Sequence, residues 1–367
     1  MAITETYVDP AIAGASGAGT VGDPYGDLQH ALDTMTRDAT NGDRINIKAG
    51  TDEILGAAID LSTYGTPAAT AQLVFQGYTT AAADGGIGGI SGAATYSVFN
   101  STTIEWISFV DLHCHNSGSE TVIQLDRYGI IAGCEIDNTS GNGVAFQAAN
   151  GALVTNCYIH NIGGVGVNFN AGGFVYHCYF ENGTNDFTNA VNIASSSISI
   201  SFCIFNLDGA SNGVFCTPFN ASYDIRNNTF YSASGTGKAI VIDNDVDSPG
   251  LIASNYIEGF SGAGGVGINS SASDSVSLIS NRYYNNTTHR SDGVLIINTD
   301  NSATAASALT NPGGGDFSVG TDLKAGAYPT TFKGSSTSQY VDIGAAQRQE
   351  PAGGGGGRRP RIRAHGV

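Results

Sequence analysis

Eight side chains that can exchange protons or pack against sugar rings occur in four short segments between residues 113 and 181. They are His113, His115, Glu135, Asp137, Tyr158, His160, Tyr179 and Glu181. The two members of each pair stand two residues apart, so in a β-strand both would point to the same side. The sequence therefore predicts one outward patch of three histidines, three carboxylates and two tyrosines.

A saccharide groove is the chemistry that this patch favours. Glu135 and Asp137 would lie about 7 Å apart along one strand, and Glu181 about 10 Å from Asp137. Such separations are near those of the paired carboxylates in inverting glycoside hydrolases. We predict Glu135, Asp137 or Glu181 as acid and base, with His113, His115, Tyr158, His160 and Tyr179 binding the glycan. The alternative is an ordinary solvated sheet face, since outward residues are polar in any case.

An internal sequence repeat predicts the strands that position these side chains. It includes FVDLHCHNS at 109–117, IAGCEIDNTSGNGVAF at 131–146 and VTNCYIHNIGGVGVNF at 154–169. One aligned position recurs in every copy; it is occupied by Leu112, Cys134, Cys157, Cys178, Cys203, Asn228, Asn255 and Asn281. Short two-periodic strands with Gly/Asn turns, repeated roughly every 25 residues, predict a β-solenoid. In a solenoid each strand pairs with its equivalent one coil further along.

The aligned position should form an interior ladder. Stacked asparagines can hydrogen-bond along the axis, and stacked cysteines behave as small apolar residues. We therefore interpret the six cysteines as reduced core thiols. Disulfides and a metal site are the alternatives, but no C-x-x-C spacing supports a metal site.

Composition agrees with a turn-rich β protein. Of 367 residues 51 are glycine, 41% are hydrophobic and only 13% are charged. The glycines show no Gly-X-Y period, which excludes collagen, and the hydrophobic share excludes global disorder. The low charge disfavours coiled coils and helical bundles, whose outer faces are charged.

The N-terminal part carries a family resemblance. The stretch DPYGDLQHALDTMTRDATNGDRINIKAGTDEIL at 23–55, with the repeat that follows, resembles the right-handed parallel β-helix (pectate-lyase-like) superfamily, of the type found in phage tailspike and virion decoration proteins. The resemblance implies an all-β, single-stranded right-handed parallel β-helix. It implies a short N-terminal capping helix at Gly26–Met35, a first strand at Arg44–Lys48 and a closing strand at 341–348.

Four segments result. Residues 1–22 are an N-terminal lead-in, 23–300 the cap and parallel β-helix, 301–350 C-terminal loops with a closing strand, and 351–367 a glycine linker with an extended arginine-rich tail. The superfamily hosts many activities, so the resemblance says little about catalysis. Its pectate lyases use clustered Asp ligands for calcium and a basic Arg or Lys, and its polygalacturonases carry an Asp-Asp pair. The patch has no such cation and the sequence no such pair, which leaves enzymatic activity open.

A weak calcium motif lies further along. Asp243, Asp245 and Asp247 alternate as in the first half of an EF-hand loop. The glycine and glutamate expected at the sixth and twelfth positions are replaced by Ser248 and Ser254. Calcium is thus the one cofactor that the sequence suggests. The alternative interpretation of the three aspartates is an exposed loop between coils.

The charge is divided unevenly. Residues 1–350 carry 11 positive and 32 negative charges, a net of −21, whereas the last seventeen residues carry +4. We predict that Arg358, Arg359, Arg361 and Arg363 bind carboxylates of another subunit, with Ile362 and Val367 as apolar anchors. A free solvated tail and a nucleic-acid arm are the alternatives, and the acidic body makes nucleic acid a poor partner.

These features favour a virion structural protein of a phage-like particle, a decoration, cement or spike subunit. The expected partners are capsid or tail proteins and sister subunits in a homotrimer. A polysaccharide lyase or glycoside hydrolase of the tailspike type, and a non-catalytic adhesin for cell-surface glycans, are the two alternatives. The N-terminus has no signal-peptide pattern and no apolar run is long enough to span a membrane. We therefore expect synthesis in the host cytoplasm, location in a virion and no membrane partner.

Overall fold

The computed structural model describes residues 3–61, 63–93, 95–100, 104–116, 118–138, 140–147, 151–170, 172–194, 197–217, 222–243, 250–270, 276–291, 295–299 and 306–319. These residues divide into two compact units. The first contains the described residues up to Phe174 together with Gly183–Asn185, and the second contains the others.

The first unit holds one short helix and fifteen strands among its described residues. They are β1 (Thr4–Val8), α1 (Leu28–Thr34), β2 (Asp43–Lys48), β3 (Asp52–Ile54), β4 (Leu73–Tyr78), β5 (Gly88–Ser91), β6 (Phe99–Asn100), β7 (Ile107–Val110), β8 (Leu112–Asn116), β9 (Ile123–Leu125), β10 (Ile130–Ala132), β11 (Glu135–Asn138), β12 (Val144–Phe146), β13 (Ala152–Thr155), β14 (Tyr158–Ile162) and β15 (Val165–Phe169).

Strand β16 (Gly173–Tyr176) spans the boundary between the units, and the remaining strands belong to the second. They are β17 (Tyr179–Glu181), β18 (Asn189–Ile193), β19 (Ile198–Ser201), β20 (Ile204–Leu207), β21 (Asn212–Cys216), β22 (Tyr223–Arg226), β23 (Thr229–Ser232), β24 (Lys238–Ile242), β25 (Gly250–Ala253), β26 (Tyr256–Glu258), β27 (Val266–Ser270), β28 (Val276–Ile279), β29 (Arg282–Tyr284), β30 (Thr288–Ser291), β31 (Leu295–Thr299), β32 (Leu309–Asn311) and β33 (Asp316–Val319), with a 3₁₀ turn at Pro312–Gly314.

Three parallel sheets run along the coils, and a complete coil contributes one strand to each of them. In the first unit sheet 1 runs β1-β2-β4-β7-β10-β13, sheet 2 runs β3-β5-β8-β11-β14 and sheet 3 runs β6-β9-β12-β15. In the second unit sheet 1 runs β19-β22-β25-β28-β31, sheet 2 runs β17-β20-β23-β26-β29 and sheet 3 runs β18-β21-β24-β27-β30. Within each unit the strands of these three sheets thus pair in parallel with their equivalents in the next coil, which confirms the predicted single-stranded parallel β-helix.

The predicted ladder of aligned residues lies in the interior. The aligned residues from Leu112 to Asn281 are all at most 1% exposed, and so are most of the apolar residues two positions further on, such as Ile136 and Phe230. Within the second unit the rings of Phe180, Phe205 and Phe230 stack at 4.8 and 4.5 Å between centroids. All six cysteines are buried. Several thiols lie against carbonyls of the preceding coil, as Cys134 Sγ does at 3.4 Å from Phe109 O.

The asparagine ladder satisfies its buried amides along the coil stack. Asn228 Nδ2 donates to Asn255 Oδ1 and to Ile200 O, both at 3.0 Å. Asn255 Nδ2 donates in the same way to Asn281 Oδ1 at 3.0 Å and to Ile225 O at 2.9 Å. The backbone N–H of Asn228 also donates to Asn255 Oδ1 at 3.0 Å. Because buried amides without partners are costly, this regular pattern fixes the residue type at the position.

The residue just before each aligned position adopts a left-handed backbone conformation. The φ values lie between 51° and 66° for Asp111, Gly133, Asn156, His177, Phe202, Asn227, Ser254 and Ser280. This turn redirects the chain from sheet 1 to sheet 2 in each of these eight coils. Most of these residues are small or polar, but Phe202 is bulky and stacks on His177 at 5.2 Å between ring centroids.

The capping helix forms where the resemblance predicts it, two residues shorter at the start and one at the end. Its N-cap is Asp27, whose side chain accepts a hydrogen bond from the backbone N–H of His30 at 2.6 Å. Its buried face consists of Leu28, Ala31 and Leu32. Among the described residues, no helix has the length and apolar character needed to cross a membrane.

Two terminal regions differ from the prediction. The lead-in contains β1, which pairs in parallel with β2 in sheet 1. Where loops were predicted, β32 and β33 form an antiparallel hairpin. Its Leu309 and Phe317 pack against Tyr256, so burial of apolar surface outweighs the glycine-rich local sequence. The predicted closing strand at 341–348 and the segment 351–367 lie outside the described residues.

Candidate functional site

Six of the eight predicted site residues come together on the outward side of sheet 2 in the first unit. Strand β11 lies between β8 and β14, and the register pairs Glu135 with His113 and Tyr158. Asp137 pairs in the same way with His115 and His160. Two adjacent columns of side chains result, and we call these six residues the sheet-2 patch.

Two imidazole–carboxylate pairs cross between the columns. His113 Nε2 lies 2.7 Å from Asp137 Oδ2, and His160 Nε2 lies 3.0 Å from Glu135 Oε1. Each histidine thus contacts the carboxylate diagonal to it rather than the one that the strand register places directly opposite. All four side chains are between 20% and 38% exposed, so they are partly desolvated but reachable from solvent.

A third pair joins the patch from an earlier coil. Asp52 in β3 places Oδ2 at 3.1 Å from Nε2 of His115. Asp52 is not among the residues predicted from the sequence, because it precedes the first recognisable repeat at residue 109. The sequence signal for it would be the alternation of outward and buried side chains in β3, where Asp52 points outward and Glu53 is buried.

The rings of the patch are ordered by stacking. The imidazoles of His113 and His115 stand 4.7 Å apart between centroids with an interplanar angle of 12°. Tyr158 and His160 stack at 4.1 Å and 17°. Stacking between residues i and i+2 of one strand fixes the ring orientations while leaving outer edges and faces accessible to a ligand.

The pairs shift the ionisation of their members in opposite directions. The hydrogen bond to Asp137 raises the pKa of His113, although burial opposes this rise. The hydrogen bond from His160 lowers the pKa of Glu135. Burial would raise the pKa of Asp137, but the hydrogen bond and the charge of His113 outweigh it, so the pKa of Asp137 is lowered. At neutral pH both carboxylates are therefore ionised, and His113 holds its proton to a higher pH than an imidazole in water does.

The remaining two residues of the predicted patch, Tyr179 and Glu181, lie in sheet 2 of the second unit. Tyr179 Oη donates to Glu181 Oε1 at 2.9 Å, and Asn206 Nδ2 donates to the same oxygen at 3.0 Å. The ring of Tyr179 also lies 5.9 Å from that of Phe317 in the hairpin. The structure thus gives both residues structural contacts within their own unit.

The hairpin covers much of this second sheet 2. Ala308, Leu309 and Phe317 pack on Tyr256, and the flanking side chains are Tyr179, Ile204, Tyr231 and Tyr284. Beneath it Glu258 is only 6% exposed and accepts hydrogen bonds from Tyr256 Oη at 2.7 Å and Ser307 Oγ at 2.8 Å. Burial raises the pKa of Glu258.

The other predicted sites fall largely outside the described residues. Asp243 is exposed at the end of β24, whereas Asp245 and Asp247 are not among the described residues. The same is true of the docking residues Arg358, Arg359, Arg361, Ile362, Arg363 and Val367. The calcium and tail hypotheses therefore remain predictions.

A hollow of about 450 Å³ lies beside the capping helix, and none of the six patch residues lines it. Its lining includes Asp27, Asp33, Glu53 and Asp60. Glu53 accepts a hydrogen bond from the backbone N–H of Leu28 at 3.3 Å, and burial raises its pKa. These contacts identify Glu53 as a structural support of the helix start. The sheet-2 patch, by contrast, is an open face, which suits an extended polymer better than a small molecule.

Comparison with known proteins agrees with the topology. Residues 88–247 match the family described as right handed beta helix region. The structure resembles pectate lyase Pel9A with a TM-score of 0.53 and 12% identity, covering 95% of this chain and 97% of that one. It is also similar to the lacto-N-biosidase from Eubacterium ramulus (TM-score 0.49, 10% identity, 82% and 68% covered) and to an alginate lyase from Paenibacillus sp. (0.40, 15%, 75% and 97%). A search among curated proteins finds no match. The chain therefore has the fold of a right-handed parallel β-helix.

Proposed function

We propose that this protein binds and cleaves a polysaccharide on the sheet-2 patch of its first unit. The observation that carries the proposal is the pair of imidazole–carboxylate contacts at 2.7 and 3.0 Å on one open face. A carboxylate that orients an imidazole makes it an effective proton donor or acceptor. The stacked Tyr158 and His160 rings offer an adjacent surface for a sugar ring.

The ionisation of the patch supports a revised division of roles. A general acid must hold its proton at the working pH. Glu135 and Asp137 have lowered pKa values and do not meet this condition. We therefore infer that His113 donates the proton to the leaving oxygen and that Asp137 orients it. Glu135 then serves as the base that activates water, and Glu181 has no part in this scheme.

Charge favours a neutral glycan as the substrate. In the five described strands of sheet 2 in the first unit, the outward positions hold no arginine or lysine. The chain also has a net charge of −17. A polyuronate would meet repulsion from Asp52, Glu135 and Asp137 without a compensating cation. Hydrolysis of a neutral polymer is therefore favoured over elimination from an acidic one.

The test is cleavage of a panel of neutral and acidic polysaccharides by the full chain. New reducing ends report any cleavage, and ultraviolet absorbance of unsaturated ends reports elimination alone. We expect reducing ends from a neutral glycan, lost in His113→Gln and Glu135→Gln. The matched control is His177→Gln, a histidine of the second unit, which should retain activity. Binding without cleavage would replace the hydrolase by an adhesin, and no binding to any glycan would overturn the proposal.

Assembly into a virus particle is a second function that one observation favours. The charge of the chain is partitioned into −21 over residues 1–350 and +4 over the last seventeen. A basic tail on an acidic body suits docking to carboxylates of sister subunits or of capsid or tail proteins. The protein would then be a decoration or spike subunit of a virion, with a homotrimer as the expected assembly.

Deletion of residues 353–367 tests the docking role. We expect the truncated chain to fold, because the described coils end before this segment, but to lose incorporation into particles or self-association. Replacement of Arg358, Arg359, Arg361 and Arg363 by glutamine is the finer variant. Unchanged occupancy and unchanged mass in solution would rule out the tail as a docking element.

A further inference from the structure

We propose that Asp52, His113 and His115 form a binding site for a divalent transition-metal ion of the zinc type. One carboxylate oxygen of Asp52 and one ring nitrogen of each histidine lie within 4.8 Å of one another. This site goes beyond the proposed glycan cleavage, because it makes no use of a sugar and is testable without one.

The fold brings these ligands together from coils that are distant in sequence. His113 and His115 share the outward side of β8, and their rings are held parallel by stacking. Asp52 lies in β3, two strands away, which places its backbone about 10 Å from β8. Even so, its carboxylate reaches to 3.1 Å from His115.

Gly89 makes this reach possible. It lies in β5, in register with Asp52 on one side and His113 on the other. A Cβ atom at this position would stand 1.7 Å from Asp52 Oδ1. The Asp52 side chain therefore passes through the space that any other residue at position 89 would fill. The missing side chain opens a path for a carboxylate toward two imidazoles.

The donor set selects the class of metal. Two imidazole nitrogens and one carboxylate suit zinc and neighbouring first-row ions, whereas calcium and magnesium prefer ligands that are all oxygen. Three protein ligands leave a fourth position of a tetrahedral ion for water. Ligand atoms around one such ion stand about 3.3 Å apart for bonds of about 2.0 Å. The partly exposed side chains need only small rotations to close to that spacing.

Asp137 supports the site from the next coil. Its hydrogen bond to Nε2 of His113 fixes the orientation of that ring. Carboxylates that hold ligating histidines commonly raise metal affinity. Asp137 is therefore a positioning residue, and the carboxylate of Asp52 is the ligand.

Zinc titration of the full chain by calorimetry, after removal of metals with a chelator, tests the site. We expect one saturable site, with affinity reduced about 100-fold by Asp52→Asn and about 10-fold by Asp137→Asn. Gly89→Ala should also weaken binding, because it displaces the carboxylate. His160→Gln is the matched control, a histidine of the same face outside the triad, and should leave zinc affinity unchanged. Cobalt in place of zinc should give a tetrahedral visible spectrum.

Three results would overturn the site. They are no saturable zinc binding, zinc affinity unaffected by both Asp52→Asn and His115→Ala, and calcium binding tighter than zinc at the same residues. Far-ultraviolet circular dichroism of each variant establishes that the coil stack is intact. Because a metal on His113 would block its use as a proton donor, glycan cleavage is assayed separately in chelator. Zinc binding without cleavage in that assay would refute the proposed function and leave the metal site standing, so the two failures are distinguishable.

Discussion

Sheet 2 has the same parallel construction in both units, yet its outward side meets two different environments. In the first unit it is open and carries imidazole–carboxylate pairs. In the second the β32–β33 hairpin packs on it through Leu309 and Phe317. The outward residues in both places include tyrosine and glutamate, so residue type alone does not distinguish them. Tyrosines beneath the hairpin act as core, and those on the open face remain accessible to a ligand.

The largest effect should come from removing the hairpin's main contact. Phe317→Ala should lower the free energy of unfolding of the second unit by about 3 kcal/mol, because a buried ring is lost. Denaturation by urea measures the loss, and hydrogen exchange at 308–317 locates it. The control is Phe174→Ala, since that side chain is 44% exposed. The control substitution should cost less than about 0.5 kcal/mol, and equal costs would show that the hairpin does not bury this face.

A pair of tyrosine variants separates the two environments by function. Tyr231 lies 5.8 Å from Phe317 between ring centroids. Tyr231→Ala should therefore cost about 2 kcal/mol of stability and leave glycan binding intact. Tyr158→Ala should instead abolish glycan binding at a smaller stability cost. Thermal unfolding and a glycan pull-down measure both properties, and the reverse pattern would place the ligand on the second unit.

The buried carboxylate of Glu258 should make the second unit less stable as pH rises. Burial raises the pKa of Glu258, so the folded state holds its proton more tightly than the unfolded state. Stability is then lost as pH rises from the ordinary glutamate pKa, about 4.3, through the raised value. Glu258→Gln should remove this loss, on the order of 1 kcal/mol. Urea midpoints of both proteins across this range should diverge with rising pH, and parallel curves would contradict the assignment.

The first unit should show the opposite and smallest pH effect. The pKa of Glu135 is lowered by the hydrogen bond from His160. The stabilisation of the folded state by ionised Glu135 is therefore present above the ordinary glutamate pKa, and it is lost as pH falls through the lowered pKa. Because the Glu135 side chain is partly exposed, Glu135→Gln should cost less than about 0.5 kcal/mol near neutral pH. The same urea series measures this difference in stability. The urea midpoints of wild type and Glu135→Gln should converge in acid, and midpoints that diverge in acid would show that the pKa of Glu135 is raised and not lowered.

The features of the structure that could be predicted from the sequence are those that recur in each copy of the repeat. A side chain that recurs once in every copy and alternates in strands has only one consistent placement, so the cysteine and asparagine columns and the His113–His160 patch followed from spacing. Asp52 was not predicted, because it lies before the first recognisable repeat and because its contact with His115 also depends on the empty space at Gly89. The hairpin was also missed, because its few apolar residues gain their stability from a distant surface.

The asparagine ladder makes one stretch of this protein modular. Each amide from Asn228 to Asn281 offers the same acceptor to the coil before it, and Cys203 already uses that acceptor through its backbone N–H at 2.9 Å. A duplicated copy of residues 228–254, inserted after Ser254, would find matching partners at both junctions. Lengthening is therefore compatible with the fold inside the asparagine run. In the cysteine run, a coil would instead be joined to its neighbours by the backbone ladder and by thiol contacts such as that of Cys134 Sγ with Phe109 O, without an amide ladder.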